Sequence, residues 1–219
     1  MIPLDPDRTL ALAYVPAARR TAVESLWRLD AALASVLSTG REPLISQIRL
    51  AWWREALEKL DAERAPAEPV LRALADHVLP AGLSGAELSA MEAGWAVLLS
   101  PDPLGAADLD LYASARGGLL FRYTARLLGV HDPAAAVEAG GASWALVDLA
   151  RHSASEADAA AALEVVRTAP SPRWPARLRP LGMLAALARR DAEPGRARWE
   201  AQGAPGRMLR MLRHRLTGI

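Results

Sequence analysis

The sequence predicts an all-α fold, a single-domain helical bundle over residues 1–219, on three observations. Apolar positions recur at helical spacing along nearly the whole chain, runs of β-branched residues are missing, and prolines and glycines fall between the periodic segments. A chain of 219 residues that is 52% hydrophobic can bury a substantial core without dividing in two.

The elements follow in order. A first helix is expected over Arg8–Tyr14. Pro16 suits the first turn of a long second helix that reaches Ser38 and stops at Gly40. Pro43 opens a third, running to Asp61, and the linker AERAPAEP separates it from a helix over Val70–Val78. Ser84 and Glu87 have capping-box spacing and start a helix through Leu99; Asp102-Pro103 repeats the start signal. The segment Ala106–Leu128 is apolar on every side and contains Gly117-Gly118, which costs roughly 1 kcal/mol per glycine against alanine, so close packing is the expected reason for the pair. His131-Asp132-Pro133 separates it from Ala134–His152, and Ser155 caps a helix to Arg167. The bend APSPRWP leads to Ala176–Arg190 and two short C-terminal helices. No strand and no repeat of 20 to 50 residues is expected.

The third helix, PLISQIRLAWWREALEKLD, is apolar over more than half its circumference and is expected to be among the most buried elements. Ile45, Ile48, Trp52, Trp53, Ala56 and Leu60 form its broad face. Arg49 breaks that face, so its guanidinium either meets an acidic group inside the fold or snorkels past the tryptophans.

Composition narrows the function. A net charge of +1 gives no field to collect nucleic acid, so no nucleic-acid partner is expected. There is no cysteine, hence no disulfide or thiolate metal site. No stretch longer than ten residues lacks Asp, Glu, Lys or Arg, too short a run to span a bilayer, and the start MIPLDPDRT lacks a leader pattern. A cytoplasmic protein is expected, in solution or peripheral on the inner face of a membrane. Of the 26 basic residues 25 are arginine, which reads as genomic bias more than as bidentate chemistry.

Within the second helix, Asp30 falls inside the apolar arc of Val23, Leu26, Leu29, Leu33, Val36 and Leu37. A buried carboxylate needs a cation, and Arg49 or Arg19 are the candidate partners. The C-terminal segment 205–219 sets Met208, Leu209, Leu212 and Leu216 on one side, with Arg207, Arg210, Arg213 and His214 around the other. It either packs on the bundle or makes peripheral contact with anionic lipid. His77, His131 and His214 lack metal-ligand spacing, and no GxSxG, P-loop or GxGxxG occurs.

The residues IRLAWWREAL, with YVPAARRTAVESLWRLDAALASV before and YASARGGLLFRYTARLLG after, resemble the squalene/phytoene synthase family of head-to-head prenyl-diphosphate condensing proteins. The resemblance implies an isoprenoid-synthase-like bundle. It also implies two aspartate-rich motifs that hold Mg²⁺ against substrate diphosphates, and there the pattern departs. Ala34 and Ser35 stand where the first pair of aspartates belongs, leaving Asp30 as the only acid in that segment. In SWALVDLARHSASEAD, Arg151 matches the family, but His152 and Glu156 replace the second pair and Asp148 lies one turn earlier. Asp148, His152 and Glu156, at i, i+4 and i+8, would share one helix stripe and are the fallback catalytic residues, Asp148 and Glu156 the fallback metal ligands. Tyr14, Asp30, Arg49, Arg122, Tyr123 and Arg151 are the candidate cavity-lining, substrate-binding residues. EPLISQIRLAWWREAL most resembles the branch that includes the mitochondrial assembly factor for respiratory complex I. The expectation is a non-catalytic protein without a cofactor that binds a protein partner or an isoprenoid-like lipid. The alternative is a Mg²⁺-dependent transferase condensing two prenyl diphosphates.

Overall fold

The computed structural model describes residues 3–40, 42–169, 173–195 and 199–218, and within them every regular element is helical. The α-helices are α1 (Pro6–Ala13), α2 (Ala17–Thr39), α3 (Pro43–Lys59), α4 (Pro69–His77), α5 (Gly85–Ser89), α6 (Glu92–Ala96), α7 (Ala106–Tyr112), α8 (Leu119–Leu127), α9 (Ala135–His152), α10 (Glu156–Thr168), α11 (Arg179–Asp191) and α12 (Pro205–Thr217). Local chemistry sets most boundaries. Proline stands in the first turn of α1, α3, α4, α11 and α12, where its missing N–H costs nothing. Ser84 and Glu87 form the expected capping box, and Ser155 accepts from the Asp158 N–H at the start of α10. The helix expected over Ser84–Leu99 instead breaks at Ala90-Met91, giving the single turns α5 and α6 and a 3₁₀ turn.

The buried apolar side chains form one contiguous cluster reaching from Ala11 in α1 to Met211 in α12. Its axis is α9, which packs on α8, α10, α11 and the π-helical turn Ala113–Gly118 that joins α7 to α8. The crossing is closest where Gly117 meets Gly141. A Cβ on either glycine would lie 2.1 Å from the other's carbonyl oxygen, so neither position accepts a side chain. Gly118, by contrast, has ordinary space around it, with Glu138 the nearest neighbour at 3.7 Å. The close approach expected for the glycine pair belongs to Gly117 alone.

The third helix is not the centre. α3 buries Ser46, Leu50, Trp53, Ala56 and Leu57, whereas α11 buries ten of its thirteen residues. Ile45, Ile48 and Trp52, expected inside, are exposed. A helix apolar on two sides can bury only one, and the core took the side whose polar member is Ser46. Its hydroxyl donates to the Val36 carbonyl at 3.3 Å, which lets α3 turn tightly over Gly40.

The C-terminal segment is packed by an unexpected face. Arg207, Met211 and His214 of α12 point inward onto α11 and α1, while Leu209 and Leu216 are exposed. Ion pairing of Arg207 outranks burial of leucine there, as its partners below show. Ile219 lies outside the described residues. No described helix is long and apolar enough to cross a membrane.

Candidate functional site

Asp30 is fully buried in α2, as its place in the apolar arc requires, but neither expected arginine reaches it. Arg49 lies outside and donates to Thr39 Oγ1 at 3.2 Å, and no contact joins Arg19 to the carboxylate. The cation is Arg116, fully buried in the π turn between α7 and α8. Its Nε and Nη2 donate to Asp30 Oδ1 and Oδ2 at 2.9 and 3.2 Å. A second arginine, Arg8 of α1, donates through Nη1 to Asp30 Oδ2 at 3.3 Å.

The same two guanidinia hold Asp148 of α9. Arg116 Nη2 lies 2.7 Å from Asp148 Oδ2, and Arg8 Nη2 lies 3.5 Å from Oδ1. Arg116 Nη1 donates to the Tyr112 hydroxyl, and Arg8 Nε reaches Asp5 Oδ2 at 2.7 Å. Aromatic faces complete the enclosure: the Arg116 guanidinium stacks 4.1 Å from the Trp95 ring and 4.8 Å from Trp144, whose ring also lies 4.8 Å from the Arg8 guanidinium. The electrostatics follow from this geometry. Burial alone would push the Asp148 carboxyl up, but Arg116, then Arg8, hold it down to about 2. Burial pushes Asp5 up, only partly offset by Arg8. Tyr112 is pushed far up, chiefly by burial, and stays a neutral hydroxyl. Arg116 is held above its ordinary value because Asp30, Tyr112 and Asp148 outweigh the cost of burying it.

The remaining candidates disperse. The helix ends at His152, Ser153 caps it, and Glu156 begins α10, so Asp148, His152 and Glu156 share no helix stripe. His152 is mostly exposed, its Nδ1 2.8 Å from the Asp148 carbonyl. Arg151 is drawn into a second ion network: it donates to Asp191 Oδ2 at 3.0 Å and to the Glu200 carbonyl at 2.9 Å. Arg207 of α12 sits at the centre of that network, bonded to Asp7 Oδ2 at 2.9 Å and Asp191 Oδ2 at 2.5 Å. Tyr14 is exposed beneath the Arg215 guanidinium. Arg122 pairs with Glu138 at 3.6 Å, and Tyr123 is buried with its hydroxyl donating to the Glu87 carbonyl at 2.8 Å. Arg49, Tyr14, Arg122 and Tyr123 therefore each engage a different part of the bundle.

Mg²⁺ does not fit the acids that remain. Ser35 turns its hydroxyl back to the Ala32 carbonyl at 2.7 Å, and each oxygen of Asp30 and Asp148 already faces a guanidinium nitrogen. A divalent ion placed there would meet two fixed cations with no free carboxylate between them. Among the described residues no group of three His, Cys, Asp or Glu could hold a metal. Beside the cluster, between Arg8, Trp144, Asp148 and the α11–α12 side, the space is about 30 Å³. A larger cavity, about 290 Å³, lies elsewhere, against α10 and Trp199, and its wall includes Glu156, Asp191, Glu193 and Glu200 beside Ala159, Ala160 and Leu163.

Sequence reasoning missed Arg116 and Arg8. The signal for Arg116 was present: it lies four residues after Tyr112 and four before Leu120, within a segment apolar on every side, the same reasoning that singled out Asp30. Arg8 gave no such signal, because α1 is short and Asp7, Arg8 and Thr9 stand together in its first turn, where no buried face can be told.

A family model described as squalene/phytoene synthase matches residues 4–162. No curated protein and no solved structure matches the chain. The matched range runs from before α1 into α10, so it contains the whole Arg116 cluster; α11 and α12, which close the space beside it, lie beyond.

Proposed function

The chain belongs to the squalene/phytoene synthase family, and from that premise we propose that it is a non-catalytic member that acts by binding a protein partner. One observation carries the reading: the guanidinium of Arg116 sits between Asp30 and Asp148, bonded to both. Departure of a diphosphate needs several positive charges presented to the substrate, not neutralised inside the fold. A protein partner is favoured over an isoprenoid-like lipid held inside, because about 30 Å³ beside the cluster accommodates roughly one water molecule, far below a ligand pocket of ~300 Å³ or more. The larger cavity sets Glu156, Asp191, Glu193 and Glu200 among Ala159, Leu163 and Trp199, so a prenyl chain there would desolvate carboxylates. Assembly of a respiratory complex is the role that EPLISQIRLAWWREAL supports by its resemblance, and peripheral membrane contact through the outward Leu209 and Leu216 belongs to the same proposal.

The test is turnover. Purified protein incubated with farnesyl or geranylgeranyl diphosphate, Mg²⁺ and a reductant should yield no squalene- or phytoene-like product on extraction. A product that disappears in Asp148→Asn and Glu156→Gln variants would establish the Mg²⁺-dependent transferase instead.

A further inference from the structure

α3 carries two complementary shapes on its outer side. Its first half presents large apolar side chains to solvent, with Leu44, Ile45 and Ile48 at 65%, 47% and 58% exposure. Its second half borders a groove of about 240 Å³ walled by Trp52, Ala56, Leu60 and Pro66 together with the charged Glu55, Lys59, Glu63 and Arg64. Trp52, 46% exposed and braced edge-on by Trp53 at 5.3 Å, divides the two.

An apolar ridge and a hollow with buried Ala56 and Leu60 at its base and charged residues on its rim are complementary to the same helix reversed, which is the requirement of a two-fold, self-complementary contact. We propose that α3 is a homodimer interface in which two copies pack antiparallel about an axis at Trp52. Position 48 is four residues before the axis and position 56 four after it, so Ile48 of each copy falls against the small Ala56 of the other and enters its groove. The two Trp52 rings meet at the centre, the aromatic core that association energies favour. The charges agree with this register: Arg49 and Glu55, both exposed and three residues either side of the axis, oppose each other between the copies, so opposite signs approach on both sides of Trp52. A lipid surface is the poorer fit, since Glu42, Glu55 and Glu63 offset Arg49, Lys59 and Arg64 along the face and leave no basic field for anionic headgroups. One helix face per copy is a small contact, so the dimer is a weak, reversible one. The inference is independent of whether the chain catalyses anything.

Sedimentation velocity over a concentration series is expected to show a monomer–dimer equilibrium that Ile48→Asp weakens at least tenfold. Since Ile48 is exposed, the variant should melt like the wild type. The chain has no cysteine, so a single introduced thiol reports the register: Trp52→Cys should couple to itself through a short bis-maleimide, and Leu44→Cys, roughly 24 Å from its own copy at 1.5 Å per residue, should not. A monomer at every concentration overturns the proposal, as does a dimer indifferent to Ile48→Asp. So does coupling at position 44 without coupling at 52, or a strictly monomeric protein whose apolar face binds phosphatidylcholine vesicles.

Discussion

Replacing Asp30 by alanine removes one carboxylate and strands two cations. Arg116 is fully buried and gives Asp30 two of its donors at 2.9 and 3.2 Å; Arg8 gives a third at 3.3 Å. Asp148 remains to both guanidinia, but it cannot satisfy the Nε of Arg116, and the vacated side-chain volume adds a small cavity. Breaking one partner of a buried pair costs about 3–5 kcal/mol. For a chain of this size that lowers the melting temperature on the order of 10 °C, and the urea midpoint should fall in proportion. The companion variant Asp30→Leu/Arg116→Met removes the pair together and should recover a large part of the loss, because an apolar replacement leaves fewer buried ions unpaired. Circular dichroism melts of the two variants and the wild type measure both effects. An Asp30→Ala protein that melts with the wild type would mean that the cluster is solvated, and the account of the site would fail.

Acid should reveal the second half of the cluster. The Asp148 carboxyl is held at about 2, below its ordinary 3.8, so its contribution, about 2 kcal/mol, is fully present above pH 4 and is lost as pH falls through 2; urea midpoints of wild type and Asp148→Asn should converge over that window. Gly117→Ala should destabilise by about 2 kcal/mol or more, with its Cβ 2.1 Å from the Gly141 carbonyl oxygen, whereas Gly118→Ala should be neutral or gain up to about 1 kcal/mol; equal losses in chemical denaturation would count against the α9 crossing. Arg207→Met leaves Asp7 and Asp191 buried without their shared cation, so α12 should loosen and its backbone amides exchange faster than those of α9; unchanged exchange would refute the latch. Flotation with phosphatidylglycerol vesicles should be abolished by Leu209→Asp with Leu216→Asp, and an unchanged bound fraction would remove the membrane contact.

Periodicity made the helices legible because each one's burial is local. The Ser84–Glu87 box and the Ser155 cap mark ends at which a side chain acts within four residues, and Gly40 marks one where Ser46 of the next helix occupies the space of a side chain. What failed was the choice between two plausible faces. For α3 the apolar arc was wider than any single neighbour could cover, and only the tertiary arrangement of α2, α5 and α6 chose the side of Leu50 and Leu57. For α12 the leucine side lost to Arg207, because two buried carboxylates on other helices demanded its charge. Asp30 was legible as a buried acid, yet its partner was not, since the pairing spans 86 residues and passes through a π turn that shifts the helical register. Discounting arginine as genomic bias then hid Arg116, whose context was as improbable for a charge as that of Asp30.

On the proposed non-catalytic reading, the cluster also supplies what would hold the fold together in place of metal-bound diphosphate. Aspartates facing each other across a bundle repel, and a mobile cation is one way to hold them; a tethered guanidinium is another, and it needs no ligand from solution. Arg116 ties α2 to α9 through the π turn, Arg8 ties α1 to the same two helices, and the Trp144 ring lies 4.8 Å from both guanidinia. Such a cation stabilises the closed bundle at every magnesium concentration, and it cannot move toward a leaving group without unpairing two acids. On the proposed reading function then lies at the surface, where Leu44, Ile45, Ile48 and Trp52 of α3 and Leu209 and Leu216 of α12 are uncovered.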